Sequence, residues 1–390
     1  MNTANRQQPA AAGGYFPLSV LCLSRSWGGL ELNTVRFAEW MRQRGWPVEI
    51  ITLPDSPIAV RAAELGLPVQ VLRNPLKAVD LPAAGRLAGF LQKFNTRVLL
   101  VTRNGDLALA VLCKTLRRPA LKLVYQQHMQ LGIAKRGLLH TLRYRALDGW
   151  LSPLPGLARE VLEKTRLPAA RLHVVPLGIE VDKFAHSGRT QAQARAALAV
   201  ELPAGAVLLG LVGRFDENKG QLFVVEAFAA LHQRHPNAHL LLVGESTRNI
   251  GDGYRHAVLA KIESLGLGHA VHVRGFTLQP EIAYQALDIS VVASTNETYG
   301  MVTIEAMATG LPVVASAAGG TLSIVANGRT GLLFPVGDQH AFGAAVEQLI
   351  QQPTLAVKIG QQAQAEALAT YSHHNQCAQT EKVLRALAAA

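Results

Sequence analysis

Short apolar runs, most of them four to six residues long, recur along the whole chain and alternate with segments of helical periodicity. A strand that is apolar at consecutive positions must be covered on both faces, and parallel neighbours need a crossover, usually a helix. The alternation therefore predicts α/β architecture with doubly wound parallel sheets. In the first half the runs fall at 18–23, 48–52, 98–101, 122–126, 149–152 and 173–175. A second series falls at 207–212, 238–243, 269–274, 289–293 and 312–315. A chain of 390 residues is long for one core, so the two series predict two Rossmann-like domains, over 15–180 and 181–370. Residues 1–14 are small or polar and are expected to be a disordered tail. Residues 371–390 carry a final helical pattern.

Composition narrows the class. No apolar run reaches the roughly 18–20 residues that a spanning helix needs. The stretch 16–23 is too short for a signal sequence and lacks a basic leader beyond Arg6, so it reads as a first buried strand. Cys22, Cys113 and Cys377 are far apart and match no metal spacing; buried free thiols in a reducing cytoplasm are expected. Residues 1–180 carry 24 Lys and Arg against 11 Asp and Glu, whereas residues 181–390 carry 14 against 16. The basic half points to an anionic partner such as a membrane surface or an acidic glycan, or else to a merely basic, soluble surface. It shows no nucleic-acid recognition motif.

The chemistry concentrates in residues 296–320, NETYGMVTIEAMATGLPVVASAAGG. Glu297 and Glu305 stand eight positions apart, and between them Tyr299, Gly300 and Met301 form a turn that opens a helix. Free N–H groups at a helix start, at the positive end of its dipole, can seat a pyrophosphate. A carboxylate before that helix and another on its second turn can each accept hydroxyls from a sugar or a ribose. Upstream, GRFDENKG (213–220) follows an apolar strand and precedes a helix, and it brings Arg214 and Lys219. Taken singly, Glu305 would pass for a helix-surface acid, Glu297 for a dipole-complementing charge and GRFDENKG for a solvated loop.

Together these blocks resemble the E-x7-E signature of retaining GT-B glycosyltransferases, the large family that includes the family 4 and group 1 enzymes. PVVAS, Gly319-Gly320 and NGRTGLLFPVGD (327–338) extend the resemblance, and further matches reach back to residue 19. The resemblance implies two Rossmann-like domains facing each other across a cleft, joined by a linker similar to PLGIEVDKF (176–184), with the final helix returning to the first domain. It implies that Arg214 and Lys219 hold the donor diphosphate, where two cations stabilise the charge of the leaving group without a metal. Glu305 is expected at the ribose and Glu297 at the donor sugar, with Gly213 and the backbone of Gly300, Met301 and Val302 against the diphosphate and sugar. Gly244 would allow close approach, and the backbone around Arg274 and Phe276 would line the base pocket. Tyr299 stands where Phe is commoner in the family, Glu180 where Asp is, and Ser323 where many relatives carry Glu.

In the first half, Trp27-Gly28-Gly29-Leu30-Glu31 follows the first strand. It resembles the family's glycine-rich loop, so Gly28 and Gly29 are expected near the donor phosphates; a simple strand–helix turn is the other reading. His128 follows a strand in YQQHMQLG. Some relatives place a histidine there beside the donor sugar, where its ring would bond a hydroxyl or its carbonyl would face the anomeric carbon; an ordinary structural histidine is the other reading. His128, Arg214, Lys219 and Glu297 are thus the catalytic candidates. Lys135, Arg136, Arg143 and Arg145 interleave with Leu131, Ile133, Leu138, Leu139, Leu142 and Leu147. That pattern fits either a basic amphipathic segment on an anionic bilayer or a buried helix with a solvated basic face.

The resemblance implies retaining transfer of a hexose or N-acetylhexosamine from a UDP- or GDP-sugar to a hydroxyl of a glycan or lipid-linked acceptor. Neither a metal nor another cofactor is expected. The expected setting is synthesis of bacterial surface polysaccharide or lipopolysaccharide, in the cytoplasm and peripherally at the inner face of its membrane. An enzyme making a small soluble glycoside or disaccharide is the alternative. A GT-B-fold nucleotide-sugar epimerase or a non-enzymatic nucleotide-sugar-binding protein stands further off.

Overall fold

The computed structural model describes residues 14–73, 80–246 and 251–389, so the expected tail lies outside the described residues except for Gly14. Among them, thirteen strands form two sheets. β1 (Leu18–Cys22), β2 (Val48–Thr52), β3 (Val69–Val71), β4 (Val98–Val101), β5 (Lys122–Gln126), β6 (Gly149–Ser152) and β7 (Leu172–Val174) make the first, in the order β3-β2-β1-β4-β5-β6-β7. β8 (Val207–Val212), β9 (Ala238–Val243), β10 (Val271–Arg274), β11 (Ile289–Val292), β12 (Val313–Ser316) and β13 (Leu332–Phe334) make the second, in the order β10-β9-β8-β11-β12-β13. All pairings are parallel. Every residue of β1, β2, β4, β6, β9, β11 and β12 is buried, as strands covered on both faces require.

β3 and β13 are absent from the sequence reading, and both are three-residue edge strands. The expected strand at 269–274 begins only at Val271, because Ala270 and Val271 both donate to Leu267 O and so belong to the turn before it. The expected strand at 312–315 lies one residue later.

The chain divides into two units, one running to Pro176 and resuming at Gln376, the other Leu177–Asn375. The division at 176 rather than 180 has a local cause. Ile179 N donates to Tyr371 O and His373 N donates back to Ile179 O, so 177–180 is tied to residues of the second unit. A Cβ on Gly178 would lie 2.6 Å from Ser372 O, and glycine lets these two segments meet. The helix His373–Ala389 begins in the second unit, but its Cys377 and Leu384 sit in the core of the first with Val20, Ile50 and Val124.

One pairing device occurs in both sheets. Asp148, before β6, donates its N–H to Leu123 O while its Oδ2 accepts Leu123 N–H at 2.6 Å. Asp288, before β11, does the same with Leu208, again at 2.6 Å. Each carboxylate also holds a cation, Lys114 or Arg195. Both aspartates end an Ala-Leu-Asp triplet.

All three cysteines are buried free thiols. Burial pushes Cys22 and Cys377 up to about 12 and Cys113 to about 11.

Candidate active site

In the second sheet the strand order reverses between β8 and β11, and α/β sheets bind ligands beyond the carboxyl ends of strands at such a switch point. Gly213, Arg214 and Lys219 follow β8, Gly244 follows β9, and Glu297, Gly300 and Glu305 follow β11. Gly213 follows β8, and its N–H donates to Val243 O. A Cβ on Gly244 would lie 2.0 Å from Gly213 O, so the two turns after β8 and β9 touch backbone to backbone. Arg214 is exposed and makes no ion pair among the described residues. Asp216 accepts Asn218 N–H and starts a 3-10 turn, Glu217–Lys219, that carries Lys219. Gly220 closes the turn at φ +75°, with Ala293 O only 2.3 Å from where a Cβ would stand.

These turns bring Lys219 to the loop after β11. Its Nζ donates to Glu297 Oε2 at 2.6 Å, and Ser294 Oγ donates to the same oxygen. Both ionic side chains are largely enclosed. The loop 297–300 is held from outside by the Gly319-Gly320 pair. Gly320 N donates to Glu297 O at 2.7 Å. A Cβ on Gly319 would lie 2.1 Å from Glu297 O, and one on Gly320 2.1 Å from Tyr299 O.

Gly300, at φ +110°, caps the helix Met301–Thr309 without a side-chain bond. Its carbonyl accepts Thr303 and Ile304 N–H. The amides of Met301 and Val302 come first in the helix, ahead of any intrahelical acceptor, at a partly exposed surface. Glu305 lies on the second turn, where Tyr284 donates its hydroxyl at 2.9 Å. Burial, then the Glu305 charge, holds that phenol well above its ordinary range, so it remains a donor. The Tyr299 hydroxyl donates to Leu177 O at 2.6 Å, a bond that phenylalanine at this position could not make.

Arg274 differs from the rest. Its Nε and Nη2 donate to Leu198 O and Ala199 O, both at 2.5 Å. Its guanidinium is committed to the protein, and what it presents at the end of β10 is backbone; its carbonyl accepts Gly244 N–H. Phe276 stands exposed just beyond.

The first unit holds the remaining candidates. Gly28 caps the helix Gly29–Gln43, with its N–H bonded to Glu31 Oε2 at 3.0 Å. Glu31 Oε1 accepts Ser24 Oγ, so this carboxylate organises the loop. Among the described residues, nothing beyond its chain neighbours and its own helix backbone lies within 4 Å of where a Cβ on Gly29 would stand. His128 follows β5, with its Nε2 enclosed and unpaired among the described residues. Burial lowers its pKa to about 4, so the ring is neutral near pH 7.

Two residues that the sequence reading passed over position these loops. Gln127 Oε1 accepts Trp150 Nε1 and Ser152 Oγ, while its Nε2 donates to Met129 O, which fixes both flanks of His128. Asp106 Oδ2 accepts Leu23 N–H at 2.7 Å and Oδ1 pairs with Arg103, pinning the loop after β1. Burial raises this carboxyl to about 6.

The basic segment of the first unit is not a buried helix. Only 138–145 is helical, and Ile133, Leu138, Leu139 and Leu142 are 72%, 75%, 78% and 58% exposed. Leu131, Tyr144 and Leu147 face the core. No helix of the described residues is long and apolar enough to cross a membrane.

Residues 27–183 match the Glycosyltransferase Family 4 model, and residues 199–366 match Glycosyl transferases group 1. The D-inositol 3-phosphate glycosyltransferase of Corynebacterium urealyticum is 34% identical over 224 residues, 56% of this chain and 52% of that protein. The chain thus spans about half the length of that relative. The putative glycosyltransferase EpsD of Bacillus subtilis is 24% identical over 85% of this chain and 87% of its own. Among solved structures, Anabaena HepE in complex with UDP superposes with a TM-score of 0.83 at 22% identity, over 95% of this chain and all of that one. That likeness concerns the fold.

Proposed function

The chain belongs to the GT-B glycosyltransferases of the family 4 and group 1 type, and we propose that it transfers a sugar from a nucleotide diphosphate to a hydroxyl acceptor with retention. The observation that carries this reading is the Lys219–Glu297 ion pair beside the switch point of the second sheet, followed four positions on by the start of helix Met301–Thr309, which carries Glu305. In the reaction the bond from the anomeric carbon to the diphosphate breaks. The acceptor oxygen bonds that carbon, and its proton passes to the departing phosphate. Arg214 and Lys219 would meet the charge that develops on the leaving group, with the amides of Met301 and Val302 beside them. Glu297 would take hydroxyls of the donor sugar and Glu305 those of the ribose. His128, neutral and unpaired at Nε2, would offer a hydrogen bond to the sugar without adding charge.

The donor is a UDP- or GDP-hexose or N-acetylhexosamine in this reading, and no metal takes part. The exposed leucines beside Arg136, Arg143 and Arg145 favour a glycan or lipid-linked acceptor met at an anionic membrane, as in surface polysaccharide or lipopolysaccharide synthesis. In this reading the enzyme works in the cytoplasm, peripherally on the inner face of the membrane.

Thermal-shift screening against UDP, GDP, ADP and their sugars tests the donor site. One nucleotide series is expected to raise Tm in the wild type and not in Glu305→Ala. No shift with any nucleotide would remove the donor assignment.

A further inference from the structure

The second unit carries a histidine cluster away from the donor site. His232 lies in the last turn of the helix Gln221–Arg234, and His269 lies in the turn before β10. His232 Nδ1 is 2.9 Å from Ala238 O, and His269 Nδ1 is 3.1 Å from Gly266 O. A carbonyl oxygen can only accept, so both rings carry their proton on Nδ1. The two Nε2 atoms then face each other at 3.2 Å. A bound cation or a shared proton would bridge that gap.

We propose that this pair is a binding site for a first-row divalent cation of the Zn2+, Ni2+ or Cu2+ class. Imidazole nitrogens at about 2.0–2.1 Å from a tetrahedral ion stand about 3.3 Å apart, which matches the observed separation. The Nδ1–H bonds to backbone carbonyls are the arrangement that fixes a ligating histidine's tautomer and ring orientation. Among the described residues no group of three or more His, Cys, Asp or Glu could hold a metal, so the site would offer two protein ligands and leave the remaining positions to solvent. No carboxylate bonds either ring among the described residues. His239 and His272 lie alongside, with ring centroids 5.6 Å apart. The cluster lies at the amino-terminal ends of β9 and β10, opposite the ends that carry Gly244 and Arg274. The ion would clamp the helix end to the turn before β10 and take no part in transfer.

The test is calorimetric titration of the untagged, chelator-treated chain with Zn2+ and with Ni2+ at pH 7.5, alongside His232→Ala, His269→Asn and His374→Ala. The asparagine amide can still donate to Gly266 O, so that variant keeps the turn and loses only Nε2. One site is expected in the wild type and in His374→Ala, weakened at least tenfold in the other two, with a metal-dependent rise in Tm that disappears with it. A proton shared between the rings is the competitor, and in that case no metal is taken up. Absent uptake, or equal uptake in wild type, His232→Ala and His269→Asn, overturns the proposal. Nucleotide plays no part in the readout, so the outcome is independent of the donor assignment.

Discussion

Lys219 and Glu297, seventy-eight positions apart, form a 2.6 Å ion pair at the switch point of the second sheet. On the proposed reading, the cation that would meet the diphosphate is paired with the carboxylate that would take the donor sugar. Glu297→Gln frees Lys219 and is expected to leave nucleotide diphosphate affinity unchanged or tighter, while transfer falls about 100-fold. Lys219→Ala is expected to weaken both. Equal losses of UDP or GDP affinity in the two variants would contradict the division of roles.

Gly320→Ala introduces a Cβ 2.1 Å from Tyr299 O, against backbone that cannot swing aside. A loss of at least about 2 kcal/mol of stability is expected, with nucleotide binding lost as the 297–300 loop shifts. Thermal melts and nucleotide titration of the variant check this.

Tyr284→Phe removes the hydroxyl that orients Glu305. Donor KM is expected to rise about tenfold with kcat nearly unchanged, because the bond serves ground state and transition state alike. A fall in kcat alone would place Glu305 elsewhere in the reaction.

His128 has a folded pKa of about 4, below its ordinary value, because of burial. The unfolded chain takes up this proton near pH 6.5 and the folded chain does not, so folding stability falls as pH drops from about 6.5 toward 4. His128→Asn is expected to reduce that acid loss by on the order of 1–2 kcal/mol, read from urea melts at pH 7.5 and 5. Identical pH dependence in the two proteins would remove the assignment.

Leu138, Leu139 and Leu142 stand in water beside Arg136, Arg143 and Arg145. Replacing the three leucines with serine is expected to abolish co-sedimentation with anionic vesicles and leave soluble-acceptor transfer intact. High salt should weaken binding of the wild type. Wild-type protein that ignores such vesicles at low salt would favour the soluble-glycoside reading.

The sequence was informative where local pattern and tertiary role coincide. Runs such as 207–212 and 238–243 are apolar because both faces are covered, so burial writes the strand directly. β3 and β13 are three residues long, as is β7, whose expected run at 173–175 lies one residue late; three positions carry little periodicity. Gly300 was legible as a turn and Gly319-Gly320 through the resemblance; the structure supplies the reason, close approach of a Cβ site to Glu297 O and Tyr299 O. Arg274 was legible only in part: a basic residue at a strand end looks alike whether it faces ligand or, as here, the carbonyls of Leu198 and Ala199. Gln127 left no signal, since its partners Trp150 and Ser152 are distant in sequence. The Ala-Leu-Asp triplet before β6 and β11 was visible, but its meaning needed the pairing of each aspartate with the neighbouring strand.

The helix His373–Ala389 places Cys377 and Leu384 in the core of the first unit. The second unit is therefore an uninterrupted stretch of chain, while the first has its closing pieces at the far end. On the ribosome, Leu177–Asn375 emerges before Cys377 and Leu384, which complete the core around Val20, Ile50 and Val124. Synthesis from the amino end thus delivers a whole second unit before the last contributors to the first unit's core.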